Sequence, residues 1–138
     1  MRYFDSSALA KRYLDETDNV AVAARLEHPA ATSRLSAVEV ASAIVRRGRE
    51  GKLSQEQRDR ALHALSRDME DLLIVELAPE VVSAANGILT RNALRAADAI
   101  HLASCVSLAC DLGANIPFVV FDARLRAAAV AEGLSVEP

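Results

Sequence analysis

Met1-Arg2-Tyr3-Phe4-Asp5-Ser6-Ser7-Ala8-Leu9-Ala10-Lys11-Arg12-Tyr13 is the stretch from which the fold can be read. Tyr3 and Phe4 favour strand, Asp5, Ser6 and Ser7 are cap and turn formers, and residues 8–14 favour helix. A short strand thus runs into a helix through a carboxylate, which puts Asp5 at the strand's carboxyl end. Ligands of α/β domains bind outside the carboxyl ends of parallel strands. Asp5 is therefore a candidate for chemistry as well as for helix capping. Ser7, two residues on, offers a hydroxyl either to a helix N–H or to a carboxylate or metal-bound water at the same place.

The same strand, turn and helix pattern returns along the chain. Thr17-Asp18 can open a second helix through Val22, Ala23 and Leu26 that His28-Pro29 ends. Residues 30–33 form a short apolar strand, and Ser36-Ala37-Val38-Glu39 reads as a capping box opening a helix to Arg46-Arg47. A second capping box, Ser54 to Gln57, opens a helix carrying Ala61, Leu62, Leu65 and Met69 at helical spacing. Residues 72–75 read as a buried strand, and Pro79 begins a helix striped by Val81, Val82, Ala85 and Leu89. Residues 94–112 form an almost wholly apolar helix closed by Gly113. Strand 118–121, Asp122, helix 123–132, Gly133 and a last strand at 134–136 complete the chain. Continuously apolar strands alternating with helices imply an α/β class with a parallel sheet covered on both faces. With no linker or repeat, residues 1–138 are expected to form one domain.

A net charge of −3 argues against holding nucleic acid by bulk charge. Lys11 and Lys52 are the only lysines, so the basic side chains are almost all arginines suited to bidentate pairing with phosphate. The run Arg46, Arg47, Arg49, Lys52 fits a solvated helix terminus or a phosphate-contacting strip. Cys105 and Cys110 are off the helical spacings that make neighbours and read as reduced core thiols. With no leader and no apolar run near the roughly 20 residues of a membrane span, a soluble cytoplasmic protein is expected.

Four carboxylates carry the chemical argument. Asp122 repeats the arrangement of Asp5, directly after an apolar strand and at the start of a helix, and Glu39 opens the helix after the second strand. Each could be a cap. Asp98 lies in Leu94-Arg95-Ala96-Ala97-Asp98-Ala99-Ile100-His101-Leu102-Ala103, where a carboxylate costs several kcal/mol unless something compensates it. An N-cap role is disfavoured because Ala96 and Ala97 should continue the helix backwards. Four carboxylates gathered without a cation would raise one another's pKa, whereas a divalent ion resolves the conflict. Ligation by oxygen alone points to magnesium, with manganese as a substitute, and such a site suits hydrolysis of a phosphodiester. Arg91 and Arg95, near Asp98, are placed for substrate. His28 and His63 read as surface residues. His101, three after Asp98, reads as packing or as a neighbour of the site rather than a ligand, since no second acidic-x-x-His copy exists for a carboxylate di-iron centre.

Tyr3-Phe4-Asp5-Ser6-Ser7-Ala8-Leu9, Ser33-Arg34-Leu35 running into Val38-Glu39, the 94–103 segment, and Phe121-Asp122-Ala123-Arg124-Leu125 together resemble the PIN-domain ribonucleases. The chain's length resembles the toxin half of VapBC-type toxin–antitoxin pairs. The resemblance implies a single PIN-like α/β domain with a five-stranded parallel sheet in the order 3-2-1-4-5, helices on both faces and a magnesium site at the carboxyl edge. Asp5, Glu39 and Asp98 match the family's three principal acids, Asp122 the fourth, which often works through water, and Ser7 a hydroxyl position of the first motif. Also implied are RNA as substrate, a homodimer, and a small antitoxin whose C-terminal segment fills the active-site groove. One departure is Val120, which stands where the family commonly has Thr or Ser two residues before the fourth acid. A haloacid-dehalogenase-like phosphatase would need a second Asp at position 7, where this chain has serine. The rival from another class is a catalytically weak PIN-like module that binds RNA or protein without cutting.

Overall fold

The computed structural model describes residues 1–14 and 19–138. The helix start expected at Thr17-Asp18 lies outside the described residues. Five strands form one parallel sheet: β1 (Arg2–Phe4), β2 (Ala30–Ser33), β3 (Leu73–Val75), β4 (Phe118–Val119) and β5 (Val136–Glu137). Their order is β3-β2-β1-β4-β5, the 3-2-1-4-5 order implied by the resemblance. Tyr3 lies opposite Ala31 on one side and Phe118 on the other. The chain moves outward from β1 to β3, then returns to the other side of β1 for β4. The crevice at the carboxyl ends of β1 and β4 is thus the topological switch point, where open α/β sheets bind ligands.

The period of two in the strands sorts side chains between two cores. Tyr3, Ala31 and Phe118 face one, with Val81, Ala85 and Ile88 of α5 (Pro79–Arg91), Leu102 and Cys105 of α6 (Ala96–Leu112), and Leu125 of α7 (Ala123–Ala131). Phe4, Ala30 and Val119 face the other. There they meet Leu9 of α1 (Ser6–Ala10), Val22 of α2 (Asn19–Leu26), Val40 and Ile44 of α3 (Ser36–Arg49), and Leu65 of α4 (Gln55–Asp71). Tyr3, Phe4 and Phe118 are wholly buried, each contributing about 1.5–3 kcal/mol of apolar burial. Continuously apolar strands are what a sheet covered on both faces requires.

Several boundaries differ from expectation, each for a local reason. The first helix ends at Ala10, and residues 11–13 close turns by i→i−3 bonds such as Lys11 N to Ala8 O at 3.3 Å. β4 keeps only Phe118 and Val119, so Val120 and Phe121 form an extended link that delivers Asp122 to the start of α7. β3 is an edge strand, and its expected burial is incomplete: Leu73 is 39% exposed. The long apolar helix starts at Ala96 because Arg95 is extended and acts as its N-cap residue. Its last turn leaves the core, so Cys105 is buried while Cys110 is exposed, a correction to the reading of both as core thiols. The Ser54–Gln57 capping box forms as expected, but the one at Ser36–Glu39 does not. Ser36 is the first helical residue, and its N-cap Leu35 makes no side-chain cap bond.

Among the described residues no single helix is long and apolar enough to cross a membrane. α5 and α6 are sufficiently apolar only together, and they meet at a 118° bend with their apolar faces in the first core.

Candidate active site

The acid at the end of β1 is held by the helix it opens. Asp5 is the N-cap of α1, its Oδ1 accepting from Ala8 N at 2.8 Å. Asp122 does the same for α7, its Oδ1 accepting from Leu125 N at 2.8 Å. Both are therefore caps, as their position after a strand allowed, yet neither cap bond uses Oδ2. Asp98 is not a cap; it lies in the first turn of α6, where the helix dipole favours negative charge. Asp5, Ser7, Asp98 and Asp122 line one open pocket of about 460 Å³, together with Arg95, Ala123 and Arg124.

The charges in this pocket act on one another. Asp5 is 3% exposed, and burial pushes its carboxyl up to about 6 from 3.8, with the charges of Asp98 and Glu39 adding and the Ala8 N–H and His101 opposing. Asp98 is raised as well, by burial first and then by the negative charge of Asp122, against a lowering from Arg95. Burial is the larger cause of both shifts, and neighbouring carboxylates add to it.

Glu39 stands beside this pocket on α3 and is tethered from two other helices. Ser6 Oγ donates to its Oε1 at 2.7 Å, and His101 Nε2 lies 2.7 Å from the same oxygen. Burial would raise Glu39, but the bonds from His101 and Ser6 outweigh it and hold its carboxyl below the usual value. The failed capping box is explained here: Glu39 is drawn towards His101, and Ser36 Oγ turns to Ser6 and Thr32 at 3.0 and 2.6 Å. Glu39 also borders a groove of about 360 Å³ between α1 and α3, rimmed by Lys11, Arg46 and Arg47 and walled by Ser7, Ala43 and Phe121.

The arginines sort differently from the reading of the sequence. Arg95 lines the acid pocket. Arg91 turns away into an ion pair with Glu132 at 3.0 Å, at the far end of α5. Arg124, which the sequence reading passed over, lines the pocket beside Arg95; its place two residues after Asp122, on the first turn of α7, was the available signal. Ser6 was also missed. It is 8% exposed and sits inside the Asp5-Ser6-Ser7 turn, where the sequence points to capping for Ser6 and to the site only for Ser7. Val120 is wholly buried in the first core, so its place is occupied by packing and not by a hydroxyl.

The donors suit a hard divalent cation. They are carboxylate oxygens with no thiol or imidazole among the pocket's lining, which favours magnesium or manganese over zinc. Among the described residues no three acidic, imidazole or thiol side chains stand close enough together to hold a metal ion by themselves. A hard divalent ion held there would rely on one or two of these carboxylates, with water and substrate phosphate completing its shell.

Residues 2–131 match the model of the PIN domain family. Ribonuclease VapC49 of Mycobacterium tuberculosis is 34% identical, over 99% of this chain and 94% of its own. Two crystal structures share the fold at low identity. The sarcin–ricin-loop-cleaving toxin VapC20 of Mycobacterium tuberculosis aligns with a TM-score of 0.68 at 16% identity, over 93% of this chain and 95% of its own. VapBC2 of Rickettsia felis, bound to a DNA fragment from its promoter, aligns with a TM-score of 0.69 at 12% identity, over 99% of this chain and 98% of its own. With its 3-2-1-4-5 sheet and the acids at the switch point, the chain belongs to the PIN domain family.

Proposed function

We propose that this chain is a metal-dependent endoribonuclease, the toxin of a type II toxin–antitoxin pair that cleaves cellular RNA in the cytoplasm to arrest growth. The observation that carries the reading is the pocket at the switch point, which gathers Asp5, Asp98 and Asp122 with two arginines beside them. Asp5, Glu39 and Asp98 would hold magnesium, or manganese in its place, with Asp122 completing the set through water. When bound, the cation supplies a Lewis acid for in-line displacement at phosphorus and lowers the pKa of an attacking water.

The protein's own groups divide the remaining work. Asp5 and Asp122 keep their carboxylates oriented through their cap bonds, and Ser7 brings a hydroxyl to the pocket it lines. Arg95 and Arg124 offset the repulsion between an acidic pocket and a polyanion, and pair with phosphates flanking the scissile one. The groove rimmed by Lys11, Arg46 and Arg47 leads away from Glu39 and is the path for the C-terminal segment of a small antitoxin. The names of VapC49 as a ribonuclease and of VapC20 as an RNA-loop-cleaving toxin support the nuclease reading; the proposed working form is a homodimer.

The test is cleavage of a mixed pool of structured RNAs by the purified chain with magnesium, with manganese and with chelator, comparing wild type and Asp98→Asn. Cleavage that requires metal and is lost in Asp98→Asn is expected. Cleavage that persists in chelator, or equally in Asp98→Asn, would overturn the reading, and metal-independent RNA binding without cutting would favour a non-catalytic module.

A further inference from the structure

Glu39, unlike Asp5 and Asp122, is not held by a bond to its own helix. It makes no cap bond, and it sits on α3, whose N-cap Leu35 makes no side-chain cap bond either. What fixes it is a run of buried hydroxyls and one imidazole from four other elements. Tyr3 of β1 is wholly buried and its Oη lies 3.1 Å from His101 Nδ1. His101, 2% exposed on α6, places Nε2 at 2.7 Å from Glu39 Oε1 and at 2.8 Å from Ser6 Oγ. Ser6 donates to Oε1 and contacts Ser36 Oγ at 3.0 Å. Ser36 in turn reaches Thr32 of β2 at 2.6 Å, and Thr32 donates to Phe4 O at 2.8 Å.

Counting hydrogens gives this run a direction. An ionised carboxylate only accepts, so the nitrogen beside Oε1 must carry hydrogen. In the neutral ring Nδ1 then has none and accepts from the Tyr3 hydroxyl. Thr32 spends its hydrogen on Phe4 O, Ser36 spends its own on Thr32 or Ser6, and Ser6 spends its own on Glu39. Two donors converge on Oε1 and neither uses Oε2. Among the described residues no buried side-chain nitrogen or oxygen is left without a partner, so the network is complete as built. Complete buried networks fix geometry, whereas half-satisfied ones do not.

We infer that His101 is a positioning residue for Glu39: its Nε2–H, set by the Tyr3 hydroxyl on Nδ1, pins Oε1 and turns the rest of the carboxylate to the cation. Ser6 is the second pin. The inference rests on the metal-site reading above, and it assigns Tyr3, Ser6 and His101 a part in cation affinity although none is a ligand. Outer partners that orient a ligand in this way are worth about 10–100-fold in affinity at metal sites.

The test uses the purified full chain stripped of metal and manganese ion alone as the probe, with binding followed by the EPR signal of free manganese. Melting by circular dichroism in chelator reports the fold of each variant. His101→Ala is expected to weaken manganese binding at least tenfold while still melting cooperatively. His101→Gln sets an amide N–H where Nε2–H stands and should recover most of the loss, which a merely structural role for the ring would not produce. Tyr3→Phe keeps the core ring, removes only the hydroxyl, and should weaken binding to an intermediate degree; it carries the test if His101→Ala does not fold. Wild-type affinity in folded His101→Ala, or in Tyr3→Phe where that variant must serve, overturns the inference. Glu39→Gln separates the two readings. If it binds manganese like wild type while Asp98→Asn does not, the metal site stands and the positioning role falls; if wild type itself binds none, both fall.

Discussion

Replacing Asp5 by asparagine should stabilise the metal-free protein at neutral pH. Asparagine caps a helix as well as aspartate does, so the bond to Ala8 N at 2.8 Å is retained. What disappears is a buried charge. Asp5 is 3% exposed, and burial, aided by Asp98 and Glu39, lifts its carboxyl from 3.8 to about 6. A carboxyl raised in the folded state binds protons more readily there than in the unfolded chain, so it costs stability in full above about pH 6. That cost fades as pH falls from there towards 3.8. At about 1.36 kcal/mol per pH unit, the interval sets a ceiling of about 3 kcal/mol, or on the order of 10 °C in melting temperature for a chain of this size. Glu39 works in the opposite sense: its folded pKa is lowered, so its contribution is present above 4.5 and lost as pH falls below it. Comparing variant and wild type at the same pH cancels that contribution. The assay is urea unfolding in chelator at pH 7.5 and pH 4, then again at pH 7.5 with manganese. Asp5→Asn should be the more stable protein at pH 7.5, equal to wild type near pH 4, and the less responsive to manganese, since a ligand stabilises only through the native site it binds. A variant less stable than wild type at pH 7.5 in chelator, or a gap that persists at pH 4, would refute the argument.

Two further substitutions test other parts of the site. Arg124→Ala should leave the metal-free melting curve within about 0.5 kcal/mol of wild type. It should reduce the slope of log affinity for RNA against log salt by about one, and an unchanged slope would take Arg124 out of the substrate's path. Val120→Thr restores the hydroxyl that the family resemblance finds missing, but it does so at a wholly buried position in the first core. A cost of about 1–3 kcal/mol in chemical denaturation is expected for a buried hydroxyl without a partner; no cost, together with faster cleavage, would mean that the hydroxyl reaches Asp122's side of the link.

The fold was legible because its two-core sheet writes itself into short continuous apolar runs such as Phe118-Val119, and because Pro79, Gly113 and the Ser54–Gln57 box punctuate the helices. Helix and strand ends were less legible where tertiary contacts decide them. Arg95 is extended although Leu94 and Arg95 are acceptable helix residues, and β4 stops at Val119 although Val120 and Phe121 are good strand residues. At Ser36 the local pattern was misleading for a physical reason: a serine and a glutamate three apart can satisfy each other, but Ser6 and His101, far away in sequence, satisfy them at distances of 2.7–3.0 Å. No window of sequence contains that competition. The same holds for Arg91, whose approach to Glu132 depends on how α5 packs beside the end of α7.

The cap bonds of Asp5 and Asp122 leave room for the ligand role proposed above. A carboxylate has two oxygens, and each cap bond occupies one, Oδ1. The bond that caps the helix also removes rotational freedom that a cation would otherwise have to freeze on binding, so on the proposed reading the cap preorganises each carboxylate. Glu39 reaches the same condition by another route, with Oε1 taken by Ser6 and His101. Caps that form without any cation therefore lower the entropic cost of binding one. On this view, substitutions that keep the cap and remove the charge separate the two roles, whereas alanine at the same positions destroys both and cannot tell them apart.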